Sequence, residues 1–474
     1  MNQPIIKKCI VYGIIILFSG VVFFPASIAD VERSRIVEQP LFHNLKRSIS
    51  HYDLVIITPK IFADEVQPLV CHKKKMGLST RLVTLDEIYR EMNGRDQAEK
   101  IKYFIKAAIE EWGTKYVLLI GGKRGQTPFW YVPVRYVQMQ DGWEPEYLSD
   151  LYYADIYDAH GGFSSWNADD DSRFGEWYSG KSADDFAIDL RPDVAVGRLP
   201  CRNEQEVTIV VNKIITYETK TYGSPWFTDM VVAAGDTYPV HLNPNWTGYE
   251  GEYYGDRAIE NMTGFTPVRL YTSDGTLTGE SDVIAALDKG CGFVYFVGHG
   301  SPKTWGNHPP DNESFVKGLT VQQMYKLWNK DMLPVCVVSG CHNCQFDVSV
   351  FRLLNKTTRY RGEGTLECWG ERMTRKIGGG SIATIGCTAL GYTKEDKKSF
   401  TGGINEIETA FFNAYGHQHI RTLGDTWASA VTWYVDTYPV NWSTLAGSDS
   451  WIDTKVVQSW VLFGDPSLQI GGYL

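Results

Sequence analysis

The sequence predicts an α/β protein: a mostly parallel sheet with helices on both faces, arranged in two similar halves. Three observations predict it. Short runs of β-branched and aromatic residues are apolar throughout and stop near Gly or Pro, as strands buried on both faces do. Helical apolar patterns alternate with these runs, and that rhythm calls for parallel pairing through crossover helices. The rhythm restarts after Gly223-Ser-Pro225, which marks the boundary between the halves.

In the first half, Asp53 to Thr58 reads as a strand ended by Pro59, and 62–76 as a helix stopped by Gly77. Arg81 to Thr84 is the next strand. Ala98 to Trp112 is an amphipathic helix, with Ile101, Phe104, Ile105 and Ile109 on one face and Gly113 after it. Tyr116 to Ile120 is a strand running into Gly121-Gly122. A polar insertion covers 123–190, after which Asp193 to Val196 resumes as a strand and 203–219 as a helix. In the second half, Met230–Ala234, Val268–Tyr271, Phe293–Val297, Pro334–Val338 and Ser381–Ile385 read as strands. Residues 250–262, 282–288, 366–376 and 403–415 read as helices. The expected subdomains are 51–222, carrying the insertion, and 223–474.

Of the 474 residues, 43% are hydrophobic and 22% charged, which excludes a disordered chain, a coiled coil and a collagen. The net charge of −10, with no basic block, argues against nucleic acid as a partner. Residues 1–29 read as an export signal: Lys7 and Lys8, an apolar run from Ile10 to Phe24, then Ser27-Ile28-Ala29 as a cleavage site. The run falls short of the roughly 20 residues a bilayer span needs. Retained, it would be an N-terminal anchor, the one route to a membrane. Either way the protein is expected outside the cytoplasm, secreted or in the cell envelope, and as a monomer. Residues 30–50 are a short leader. Of nine cysteines, Cys9 leaves with the signal, and the spacing of the other eight assigns no disulfide.

In open parallel sheets, ligands bind beyond the carboxyl ends of the strands. Two adjacent strand candidates end there in reactive side chains: Gly298-His299-Gly300 and Ser339-Gly340-Cys341. A cysteine thiolate attacks a carbonyl carbon, and a histidine manages the proton. The flanking glycines let backbone approach a substrate, and the N–H groups of Gly300 and Cys341 are candidate oxyanion donors. Taken singly, such a Cys is also a small buried apolar residue, and such a His a structural hydrogen bonder.

Phe293 to Trp305, with Gly-His-Gly-Ser-Pro at its centre, resembles the catalytic-histidine motif of the gingipain family of cysteine peptidases. Val337-Val-Ser-Gly-Cys-His-Asn-Cys-Gln-Phe-Asp347 is similar to its catalytic-cysteine motif. The likeness continues through Cys368 to Arg375, Gly379 to Gly386 and Leu462 to Leu468, and covers roughly residues 50–470. It implies a caspase–hemoglobinase-like three-layer αβα sandwich with two subdomains, each with a mostly parallel sheet. It implies an endopeptidase acting on polypeptides through Cys341 and His299, with Gly300 in the oxyanion site and no cofactor for the chemistry. An acid after the first strand of the second half would orient the histidine, and Asp236 stands there. Arg- and Lys-cleaving gingipains place an acid in the pocket before the scissile bond. That stretch aligns poorly here, with Glu250 and Glu252 as candidates. Only about 20 residues separate the signal from the first strand, so control of activity is expected to differ from that of gingipains with a long pro-region. An envelope-processing protease or transpeptidase would use the same dyad. A silent binding protein on the same fold is the alternative of another class.

Cys341-His-Asn-Cys344 also spells a redox or half-zinc spacing, with Cys336 or His308 as loose further ligands. His342 is a poor base for its own neighbour, because adjacent side chains rarely form the dyad geometry. In the insertion, Asp155, Asp158, Asn167, Asp169, Asp171 and Glu176 resemble a calcium loop without matching the EF-hand pattern. Calcium or a solvated acidic loop are the two alternatives.

Overall fold

The computed structural model describes residues 51–186, 188–239, 248–393 and 402–474; the predicted export signal and leader lie outside the described residues. Ten strands form one continuous sheet. They are β1 (Leu54–Thr58), β2 (Thr80–Thr84), β3 (Tyr116–Ile120), β4 (Ala195–Leu199), β5 (Asp229–Ala234), β6 (Thr266–Tyr271), β7 (Phe293–Val297), β8 (Val335–Ser339), β9 (Ala383–Cys387) and β10 (Trp460–Phe463). Their spatial order is β2-β1-β3-β4-β10-β9-β8-β7-β5-β6. Every residue of β1, β3, β7 and β8 is buried, which is why those segments are apolar without alternation.

Within each expected half the strands run parallel, apart from β10 in the second. The halves meet at β10, which runs parallel to β4 and antiparallel to β9, from Thr384 opposite Phe463 to Cys387 opposite Trp460. The carboxyl ends of the two halves therefore lie at opposite edges of the sheet. Sequence patterning missed this seam strand: it is four residues long and follows two unassigned helices, Leu423–Thr437 and Asp449–Gln458.

The principal helices are α1 (Ala63–Lys75), α2 (Gln97–Trp112), α3 (Glu204–Lys220), α4 (Glu250–Asn261), α5 (Glu280–Leu287), α6 (Trp369–Arg375), α7 (Ile404–Gly416), α8 (Leu423–Thr437) and α9 (Asp449–Gln458), with short helices at Leu85–Glu91 and Lys356–Tyr360 besides. Asp96 caps α2 by accepting from Glu99 N, and Gly113 ends it at φ 67°. The β1-α1-β2 and β2-α2-β3 crossovers run in opposite directions along the sheet, so right-handedness puts α1 and α2 on opposite faces. The same argument separates α4 from α5. Packing then completes three layers: α1 on α3 and α3 on α6, against α4 on α7, α7 on α8 and α8 on α9. Among the described residues no helix is long and apolar enough to cross a membrane.

The insertion is pinned to both edges of the sheet. Arg198, fully buried on β4, donates to both oxygens of Asp150 at 2.6 and 2.7 Å and to the carbonyls of Gly121 and Val132 at 3.0 and 3.1 Å. Beyond the end of β9, Thr388 Oγ1 donates to Leu148 O at 2.6 Å. Residues 144–150 thus cross the sheet and carry Glu144 to the carboxyl edge of the second half.

Candidate active site

β7 and β8 are parallel neighbours, with Val297 opposite Ser339. The pairing ends there, and His299 and Cys341 each follow two residues beyond these neighbouring strand ends. The backbones beyond the strand ends come close together. Gly298 N donates to Ser339 O at 3.1 Å. A Cβ on Gly300 would lie 2.7 Å from Gly340 C, and one on Gly340 would lie 3.1 Å from Gly300 N. Either would also overlap Asn343 Oδ1, which is wedged between the two glycines. Glycine is needed at both positions because nothing larger fits. Asn343, unnoticed in the sequence, is the clamp: its Nδ2 donates to Ser301 O at 2.8 Å and Thr304 O at 3.1 Å. Those carbonyls belong to the hairpin of His299–Ser301 with Thr304–Asn307.

His299 Nε2 lies 2.8 Å from Thr237 O. A carbonyl only accepts, so Nε2 carries the proton and Nδ1 is left as the base. Asp236, expected to orient the imidazole, does not bond it. Its Oδ2 accepts from Asp311 N at 2.9 Å, and its side chain neighbours Glu250. The carbonyl of the next residue, Thr237, orients the ring instead, because the shorter Asp carboxyl is held by the Asp311 turn. Burial pulls the His299 imidazolium down from its ordinary value, against the Thr237 bond. Burial likewise pushes the Cys341 thiol up. The resting pair is therefore thiol and neutral imidazole. Sγ makes no hydrogen bond to the ring; its polar neighbour is Gly391 O, 3.9 Å away.

Beside the dyad lies a small pocket lined by Thr237, Tyr238, Glu250, Gly298, Ser339 and Asn405 among others. Glu250 Oε2 accepts from Tyr238 N at 3.2 Å. Glu250 Oε1 and Asp236 Oδ1 are both buried without a partner. One proton held between these two carboxyls satisfies both. Burial, and then the Asp236 charge, push the Glu250 carboxyl up to about 7. Glu252 is a correction: it points away from the pocket and holds Ser273 N and Oγ at 3.0 and 2.6 Å. Two residues along a helix turn the side chain by about 200°.

All eight cysteines among the described residues are free thiols. Cys344 lies fully buried against Gly370 and Gly386, whereas Cys341 is partly exposed. Cys336 is in the core, and His308 Nδ1 is spent on Ser314 O at 3.0 Å. No zinc set forms around them among the described residues. Of the six calcium candidates, Asp169, Asp171 and Glu176 bring carboxylate oxygens within 4.8 Å of one another. Asn167 is close in sequence and has a buried, partnerless Oδ1, while its Nδ2 donates to Asp171 O at 2.7 Å. Asp155 and Asp158 do not join them. Asp155 turns inward to accept from Leu190 N at 3.1 Å, and Asp158 caps its own turn at His160 N and Gly162 N, both 2.8 Å.

The profile of peptidase family C25 matches residues 48–471. Gingipain R2 of Porphyromonas gingivalis (strain ATCC BAA-308 / W83) is 21% identical over 423 residues, covering 88% of this chain and 46% of that protein. Lys-gingipain of Porphyromonas gingivalis (strain ATCC 33277) is 25% identical over 223 residues, 46% of this chain and 11% of that protein. The chain thus spans less than half the length of these relatives. The crystal structure of the Arg-specific cysteine proteinase gingipain R superposes with a TM-score of 0.60 at 18% identity, covering 91% of this chain and 80% of that one. That likeness shows the fold, a caspase-like α/β sandwich. The chain belongs to peptidase family C25, the gingipain family.

Proposed function

We propose that this chain is an exported cysteine endopeptidase with Cys341 as nucleophile and His299 as general acid and base. The observation that carries this is that His299 and Cys341 each stand two residues beyond the paired ends of neighbouring parallel strands, where the backbones of Gly300 and Gly340 come into close approach. A substrate carbonyl entering the cleft meets a neutral thiol. As sulfur attacks the carbonyl carbon, the thiol proton passes to His299 Nδ1. The N–H groups of Gly300 and Cys341 stabilise the developing oxyanion. His299 then gives that proton to the leaving amine, and water repeats the sequence in reverse to release the acid.

The pocket beside the dyad receives the side chain before the scissile bond. Glu250 and Asp236 share one proton near neutrality and so keep one negative charge, which favours a basic residue there. The export-signal pattern of residues 1–29 supports action outside the cytoplasm. A structural calcium fits Asp169, Asp171 and Glu176, whose hard oxygen donors suit that ion.

The test is labelling with a thiol-reactive peptide electrophile, followed by cleavage of a diverse peptide library beside Cys341→Ala. Wild type labels at Cys341, and His299→Ala slows labelling about 10²-fold or more. Equal labelling of both proteins would count against the dyad. Transfer of the acyl group to an added amine would redefine the enzyme as a transpeptidase.

A further inference from the structure

His342, next to the nucleophile, has φ 59°, a left-handed conformation uncommon for a residue other than Gly. Two contacts hold it there. Its N–H donates to Ala389 O at 2.9 Å, and its Nε2 meets Glu144 Oε2 at 2.8 Å. Glu144 comes from the insertion, 198 residues away in sequence. The same carboxylate accepts from Leu390 N at 2.8 Å and from Lys455 Nζ at 2.8 Å. Lys455, buried on α9, also pairs with Asp141, to which Tyr392 OH donates at 2.9 Å. Burial opposes the Glu144 charge, but His342 and Lys455 together hold its carboxyl down to about 2. Glu144 therefore ties three separate chain segments together: the nucleophile loop, the Ala389–Tyr392 wall whose Gly391 carbonyl faces Cys341 Sγ, and α9.

We infer that Glu144 and His342 are positioning residues, which fix the pose of Cys341 and of its oxyanion N–H without touching substrate. This rests on the dyad reading above. The reason is geometric. The loop turns at His342, and its further anchors include backbone bonds from His342 N to Ala389 O and from Cys344 N to Cys387 O, both 2.9 Å, and the Asn343 side chain on Ser301 O and Thr304 O, which hold the loop beyond His342 but not the His342 ring. Without the side-chain anchor the left-handed residue is free to relax. A displacement of about 1 Å at a reacting group costs on the order of 10² in rate. A merely structural role would lower stability and leave the folded enzyme's turnover intact.

Glycine at 342 tolerates φ 59° but cannot reach Glu144; glutamine carries an amide N–H to a position close to that of Nε2. The experiment compares wild type, His342→Gly, His342→Gln and Glu144→Gln on fluorescein-labelled casein, with iodoacetamide alkylation of Cys341 followed by mass spectrometry. His342→Gly should lower kcat at least about tenfold with KM within about twofold, and His342→Gln should restore kcat to within about threefold of wild type. Unchanged kcat in His342→Gly, or a glutamine variant no better than the glycine one, overturns the proposal. If His342→Gly does not fold, Glu144→Gln decides: an equal loss of kcat at constant KM supports the inference, and wild-type turnover refutes it. Wild type that neither cleaves casein nor alkylates at Cys341 would refute the dyad reading itself.

Discussion

Replacing Glu250 by Gln tests the pocket and the fold with one substitution. The Glu250 carboxyl is pushed up to about 7 from an ordinary 4.5, chiefly by burial. The shift of 7 − 4.5 is about 2.5 units, and each unit is worth about 1.4 kcal/mol. Because the native carboxyl binds its proton more tightly than the unfolded one, the native state holds the extra proton between these values. Wild-type stability therefore falls as pH rises from about 4.5 to 7. Gln does not titrate. Relative to wild type, Glu250→Gln should gain little at pH 4.5 and up to about 3 kcal/mol at pH 8. Urea unfolding at both pH values measures this. Cleavage after Arg or Lys should fall in the variant at pH 8, where wild type carries the second pocket charge, and much less at pH 5.5. A stability difference that does not change between the two pH values would refute the buried, proton-sharing acid. Unaltered cleavage after basic residues at pH 8 would refute its place in the pocket.

Other outcomes follow from the same contacts. Gly300→Ala puts a Cβ 2.7 Å from Gly340 C and onto Asn343 Oδ1, so the hairpin must shift. Turnover should drop about 10²-fold while circular dichroism stays native, and an active alanine variant would contradict the close approach. Asp150→Asn leaves the fully buried Arg198 guanidinium without its counter-charge, at a cost of about 3–5 kcal/mol in chemical denaturation. A loss below 1 kcal/mol would show that the pair does not pin the insertion. Calcium at 100 times its Kd should stabilise the protein by about 2–3 kcal/mol, removed by EGTA and absent in Asp171→Asn. No shift on chelation would return Asp169, Asp171 and Glu176 to an ordinary acidic loop.

The sequence by itself determined most of the strand and helix order up to residue 415, because strands buried on both faces must be apolar runs and amphipathic helices must repeat at 3.6 residues. It also offered Cys341 and His299 as candidate nucleophile and base, through the likeness of their motifs to the gingipain family, and the strands they follow are neighbours in the sheet. What depends on long-range pairing was not legible. The four residues of β10 carry no period long enough to detect, yet they join the halves and reverse their direction. Asp236 has the chemistry to orient the imidazole, but the Asp311 turn takes its carboxyl and leaves the task to the Thr237 carbonyl. Glu250 and Glu252 look equivalent in the chain, and only the helical rotation between them puts one in the pocket and the other on Ser273. Glu144 and His342 are 198 residues apart, and no local pattern marks their contact. Tertiary structure decided these points because hydrogen-bond partners are chosen by distance in space, which a linear pattern does not encode.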